Sequence, residues 1–191
     1  DRDFVEKSLS SAVVPLRRFA ARKVGDYGRA VPALIEQLLP LLNDADESAR
    51  TEAALALLRC GRDEGLRQAA LVFDTPWKDR VLAALPGVAN QGAHDSAAAL
   101  LVIDPKREKE DAAGAAKERL AAVHLLATIG DLASQKLLVR ALDDKHNLVQ
   151  RAAINALRRL VEGQGELKTI STFDQIKELE RLKKVWAERS T

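Results

Sequence analysis

The sequence predicts an all-α fold, a solenoid of about five helix pairs stacked in chain order and closed by a C-terminal helix. Three observations predict it. Hydrophobic residues make up 47% of the chain but aromatics only 4%, so the core must be built from Ala, Leu and Val, and Ala and Leu are strong helix formers. One segment repeats without a gap: LNDADESARTEAALAL (Leu42–Leu57) aligns with LDDKHNLVQRAAINAL (Leu142–Leu157), which places Leu42 on Leu142, Asp44 on Asp144, Ala53 on Ala153 and Ala56-Leu57 on Ala156-Leu157. No alternating run of β-branched residues competes as a strand.

The elements follow in order. An N-terminal pair carries a partial copy, LRRFAARKVGDYGRAVPALIEQL, with Ala20-Ala21 in the small-residue slots. Further pairs are expected at 30–42 with 48–60, 64–73 with 76–90, 94–103 with 115–129, and 132–142 with 147–162. Gly25-Asp26 and Gly130-Asp131 can each end one helix and begin the next. Thr75-Pro76 reads as an N-cap followed by proline at the first helical position. The arginine slots Arg50, Arg80 and Arg119, with Gln150 as the fourth, are separated by 30, 39 and 31 positions, a period suited to two-helix repeats. The longer spacing comes from a charged insertion, DPKREKEDAAGAAK (Asp104–Lys117), expected as a solvated loop around Lys106, Arg107, Glu108 and Lys109. The solenoid is expected over residues 1–165 and a capping helix over 166–191. In that helix Phe173, Ile176, Leu179, Leu182 and Trp186 form one apolar stripe with a charged back, as a stack needs at its last open face.

The stretches GDYGRAVPALIEQLLPLLNDADESARTEAALALL and ATIGDLASQKLLVRALDDKHNLVQRAAINALRRL resemble HEAT-like repeats of the phycobilisome-lyase type. The resemblance covers roughly residues 15–165 and implies a right-handed α-α superhelix. In such repeats an acidic turn residue and the arginine six positions later form a ladder that ties neighbouring repeats. Asp44/Arg50 and Asp74/Arg80 match that spacing. Asp144 faces Gln150 instead, and Arg119 has Ala113 in its acidic slot, so the ladder is expected to break there.

Candidate chemistry is sparse. Asp143, Asp144 and His146 crowd into four residues, but they fall in the turn slot that the earlier copy fills with Asp44, Asp46 and Glu47, so a polar elbow is expected and no metal or cofactor. The other histidines are His94 and His124, and no HxxxH, HExxH or His-Glu pair is present. The iron ligands of the HEAT-like deoxyhypusine hydroxylases are therefore missing. Cys60, the one cysteine, rules out an internal disulfide and reads as a small buried hydrophobe. No motif orients a nucleophile, and the glycines punctuate helices without forming a phosphate loop. Phycobilin lyases share the repeat, but the repeat by itself does not carry the activity. The expected protein is not an enzyme.

A net charge of +2 does not call for nucleic acid. Arg151, Arg158 and Arg159 make a basic run, but Tyr27, Trp77 and Trp186 are too scattered to form the aromatic-lined basic groove of the HEAT-like DNA glycosylases. What remains is the surface of the second helices. Carrying the slots through gives the columns Glu52, Leu82, Ala121, Ala152 and Arg59, Ala89, Thr128, Arg159, flanked by Leu55, Leu85, His124, Asn155. The expected function is therefore a scaffold that binds a protein or peptide partner through Glu52, Leu55, Arg59, Leu82, Leu85, His124, Thr128, Asn155 and Arg159. A nucleic-acid binder, a glycosylase-like enzyme and a lyase-like accessory protein are the alternatives. No apolar stretch is long enough for membrane insertion. The chain has no Met and opens on DRDFVEKS, which is expected of a processed product, a monomer or part of a larger chain. It would be cytoplasmic, or extracytoplasmic if a leader was removed.

Overall fold

The computed structural model describes residues 1–73, 75–89, 91–167 and 170–189, and among them it is all-helical with no strand. Its helices are α1 (Arg2–Leu9), α2 (Val14–Tyr27), α3 (Pro32–Glu36), α4 (Glu47–Arg59), α5 (Leu66–Leu71), α6 (Lys78–Ala84), α7 (Gln91–Leu101), α8 (Pro105–Ile129), α9 (Leu132–Ala141), α10 (Asn147–Glu162) and α11 (Thr172–Arg189). The chain divides into two compact units, Asp1–Ala93 and His94–Thr191.

In the first unit the long helices α2 and α4 lie side by side. Their core is aliphatic and small: Val5, Leu9, Ala20, Ala21, Val24, Leu34, Leu38, Leu57 and Cys60 pack in one cluster. Helix α4 is buried from Thr51 to Leu58, because α2 and α6 flank it and α5 packs alongside. The Gly25-Asp26 boundary expected from the sequence is not where α2 ends. The helix runs on to Tyr27 and closes at Gly28, whose φ is +60°. Gly25 has another use: a Cβ there would stand 3.0 Å from the Ala56 backbone, so the glycine sets how closely α2 and α4 approach. Thr75 does receive the Trp77 N–H on its hydroxyl, at 3.2 Å, but α6 begins only at Lys78.

Gly87 is the tightest of these contacts. A Cβ on it would run into the carbonyl oxygen of Leu58 and the Cα of Arg59, both backbone atoms that cannot rotate away. Gly87→Ala is expected to cost about 1–3 kcal/mol as overpacking. Urea denaturation at constant m-value checks it, and an unchanged midpoint would refute the close approach.

In the second unit α8 crosses the insertion. Residues 105–114, expected as a solvated loop, are helical. The helix bends once, at Asp111 (φ −155°, ψ 78°), and Asp111 Oδ1 accepts the Gly114 N–H at 2.9 Å to restart it. The far half of α8 packs on α9 and α10 through Val123, Leu125, Leu126, Leu138, Val149, Ile154 and Leu157, all buried. Gly130 and Asp131 behave as their sequence suggests. Gly130 is left-handed at φ +72°, and Asp131 caps α9 by accepting the Ser134 N–H at 2.8 Å.

Helix α11 packs against α10, but on only part of the stripe the sequence offered. Leu182 is buried and Leu179 and Trp186 are half-buried, whereas Phe173 and Ile176 are 64% and 53% exposed. Polar contacts set the inward face. Gln175 Nε2 donates to Gln150 Oε1 at 3.0 Å, and Glu178 accepts from Arg158 at 2.6 Å. Gln175, Glu178 and Leu182 follow helical spacing, so turning Phe173 inward would turn these partners out.

Candidate functional site

The repeated turn is built first from its acid. Asp44 Oδ1 accepts the Asp46 N–H at 2.9 Å, and Asp144 Oδ1 accepts the His146 N–H at 2.8 Å. Each aspartate thereby closes the elbow before a second helix. Two positions on, Asp46 caps α4 through the Ala49 N–H at 2.9 Å, while His146 stands at the cap of α10 without a side-chain bond.

The residue six positions after each turn reaches back to it. Arg50 Nη1 donates to the Asp44 carbonyl at 2.6 Å, Gln150 Nε2 to the Asp144 carbonyl at 2.6 Å, and Arg17 Nη1 to the Ser11 carbonyl at 2.8 Å. The carboxylates, however, pair with the arginine of the preceding second helix. Arg17 grips Asp44 with Nε and Nη2, at 2.6 and 2.8 Å; Arg119 grips Asp144 the same way, at 2.6 and 3.4 Å. This corrects the expected pairing within a turn. Arg50 meets the Asp44 backbone, not its carboxylate. The Arg119 rung is intact, because Asp144 supplies the acid that Ala113 could not. Arg80 pairs with Glu52, and its expected partner Asp74 lies outside the described residues. Arg17 could have been found in the sequence: Ala20-Ala21 follow it by the same interval at which Ala53-Ala54 follow Arg50.

Gln150 now has a reason. The element after it is α11, which brings Gln175 in place of an acidic turn. An amide can donate back to the Asp144 carbonyl and accept from Gln175 at once, whereas arginine can only donate.

Arg119 is the most buried cation among the described residues, 2% exposed, and the insertion supplies its second acid, Glu108. Lys145 also pairs with Glu108, and these partners hold the Glu108 carboxyl below the usual range although burial opposes it. Arg107 pairs with Glu118 at 3.0 Å, while Lys106 and Lys109 remain exposed. The insertion is therefore partly an internal strut.

The residues expected to face a partner separate into two groups. Glu52 and Leu55 are each 1% exposed and Leu85 is 0%; these are corrections, since Leu55 and Leu85 pack inside and Glu52 lies under two arginines. In the first unit Arg59 and Leu82 remain half-exposed, Arg59 within 3.7 Å of Asp26. In the second, Thr128 and Arg159 are exposed and His124 and Asn155 half-buried. Arg159 donates to the Ala127 carbonyl at 2.8 Å, Thr128 to the His124 carbonyl at 2.9 Å, and Asn155 accepts the Leu167 N–H at 2.9 Å.

Two further places bear on chemistry. His94 Nε2 stands 3.0 Å from both Asp131 Oδ1 and Ser134 Oγ. A relay needs acid and hydroxyl on opposite ring nitrogens; here both share one, and Ser134 is fully buried, so the trio pins α7 to the start of α9. Between α7 and α9 lies an open groove of about 480 Å³ floored by Ala98, Leu101, Leu137 and Ala141, with Val102 and Ile103 at its lip. Cys60 is buried, and burial pushes its thiol above the ordinary value. Among the described residues no three His, Cys, Asp or Glu side chains converge to hold a metal ion.

Asp44, Glu52, Glu108 and Glu178 are held below their ordinary range, and Glu178 is lowered to about 2. The hydrogen bond from Arg181 is the largest cause; burial opposes it and Arg158 adds to it. A depressed carboxyl stabilises the fold fully above its unfolded value of about 4.3 and loses that contribution as pH falls toward about 2. Thermal melts should drop between pH 5 and 2. Glu178→Gln should melt lower than the parent at pH 7 and converge on it near pH 2; a constant gap would refute the linkage.

No helix among the described residues is long and apolar enough to cross a membrane. No family model matches the chain, and no curated protein does. Among solved structures, the chain is similar to a crystal structure of an engineered protein, with a TM-score of 0.44 and 21% identity over 96% of each chain.

Proposed function

We propose that the chain is a HEAT-like repeat protein of the phycobilisome-lyase type and serves as a non-catalytic scaffold for a protein or peptide partner. The observation that carries this reading is the rung found in both units, an arginine of one second helix clasping the turn aspartate before the next. Such a ladder spends the repeated polar residues on stacking and leaves helix surface as the working part. The accessible positions are Arg59 and Leu82 on the first unit and, as a separate set, His124, Thr128, Asn155 and Arg159 on the second.

The test is affinity capture from the source organism with the full chain as bait, followed by mass spectrometry. A partner should be recovered and then lost with Leu82→Glu or Thr128→Glu, while Lys109→Glu retains it and all variants keep parental helicity. Recovery of nothing specific, or equal recovery by every variant, would overturn the reading.

A further inference from the structure

We propose that the first unit carries a carboxylate-binding site formed by Arg18, Arg22 and Arg80, and that its ligand is an acidic peptide segment of the partner. This deepens the scaffold reading and rests on it. The site is organised by Glu52. Its Oε1 accepts both Arg22 Nη2, at 2.5 Å, and Arg80 Nη1, at 2.9 Å, while Oε2 accepts Arg80 Nη2 at 2.6 Å. Two guanidinium groups meet on one oxygen, so one negative charge is set against two positive ones.

The buried glutamate fixes both forks, yet the forks reach solvent. The Arg22 side chain is 49% exposed and that of Arg80 is 32%, against 1% for Glu52. Arginines already fixed in place lose less freedom when a ligand arrives. Arg80 also lies over the Trp77 ring, 4.6 Å from its centroid, which holds its plane. Arg18 stands one turn before Arg22 on α2, on the same flank, and its Nε is buried with no hydrogen-bond partner among the described residues. A buried donor left unmade is costly; it lies beneath the surface, so a ligand would meet the terminal nitrogens of Arg18. Asp26, one turn beyond Arg22, offsets part of the Arg22 charge through space, but it is shared with Lys23 at 3.2 Å and Arg59 at 3.7 Å.

Planar forks fit carboxylate and phosphate alike. A nucleic acid would in addition need faces for its bases to stack on; Trp77, the aromatic beside these arginines, already carries Arg80. A peptide bearing Asp or Glu side chains needs only the guanidinium donors that Glu52 does not take.

Fluorescence anisotropy of the full chain tests this with a labelled, acetylated peptide of alternating Glu and Gly, a Lys-Gly peptide as control, and inorganic phosphate and duplex DNA as competitors. The acidic peptide should bind saturably, weaken with added salt, and lose affinity about tenfold in Arg22→Gln, the equivalent of one charged hydrogen bond. Arg18→Gln should do the same. It removes no contact of Glu52, and so keeps the test valid if Arg22→Gln unfolds. No saturable binding, parental affinity in both variants, or tighter binding of duplex DNA or free phosphate would each overturn the proposal. A chain that captures its partner through Leu82 and Thr128 while ignoring the acidic peptide would refute this site and spare the scaffold reading. Loss of both would refute both.

Discussion

Arg119→Ala is expected to destabilise the protein by about 3–5 kcal/mol, the range for breaking a buried ion pair by removing one partner. Arg119 is 2% exposed and satisfies two carboxylates, Asp144 and Glu108, whose side chains are themselves 3% and 8% exposed. Without the guanidinium, Asp144 keeps the His146 N–H and Glu108 keeps Lys145, but two acids then share a largely dry site. A double replacement, Arg119→Met with Asp144→Leu, should recover part of the loss, because it removes a charge from each side of the pair. It cannot recover all of it, since the Asp144 carboxylate also closes the turn. Equilibrium denaturation of the three variants decides the matter. A cost below about 1 kcal/mol for Arg119→Ala would mean the pair behaves as a solvated surface bridge.

Glu52→Ala is expected to cost about 3 kcal/mol, the lower end of the same range, because its two partners can swing partly into water. Burial alone would raise the Glu52 carboxyl, but Arg80 and Arg22 more than offset it and leave it below the usual range. The folded state therefore favours the ionised acid, and the contribution is present above the unfolded value and fades as pH falls through the lower folded one. The difference between parent and Glu52→Ala should thus be largest near neutral pH and shrink in acid. Added salt should narrow it further by screening the two exposed arginines that the variant leaves facing each other. A difference independent of pH would assign the loss to cavity formation alone.

These two residues mark where sequence reasoning stopped. The turn aspartates, the Gly130-Asp131 junction and the small-residue slots were legible because they act within a few positions of themselves. A cap reaches three residues and an elbow reaches two, so spacing alone exposes them. The rungs join residues 25 and 27 positions apart, and the six-residue spacing that suggested Asp44/Arg50 reports a backbone bond in its place. Glu52 looked like a free surface acid because its helical position faces away from Ala53 and Leu57; Arg22 and Arg80 cover it from neighbouring helices. The insertion looked like a loop because it is charged. Its Glu108 and Arg107 turn out to have partners waiting on the same helix and on the α9–α10 turn.

The sequence by itself determined the helical character, the recurring elbow and the Gly130-Asp131 junction, since propensity, period and capping are properties of short windows. Tertiary structure alone decided which acid each arginine serves, which flank of α11 is inside, and that Leu55 and Leu85 are core. The physical reason is that helical period fixes the angle of a side chain around its own axis and says nothing of which neighbour stands there. At Gln150 the two meet: its place in the repeat is local, but its exchange for arginine makes sense only because α11 presents an amide where the other turns present an acid.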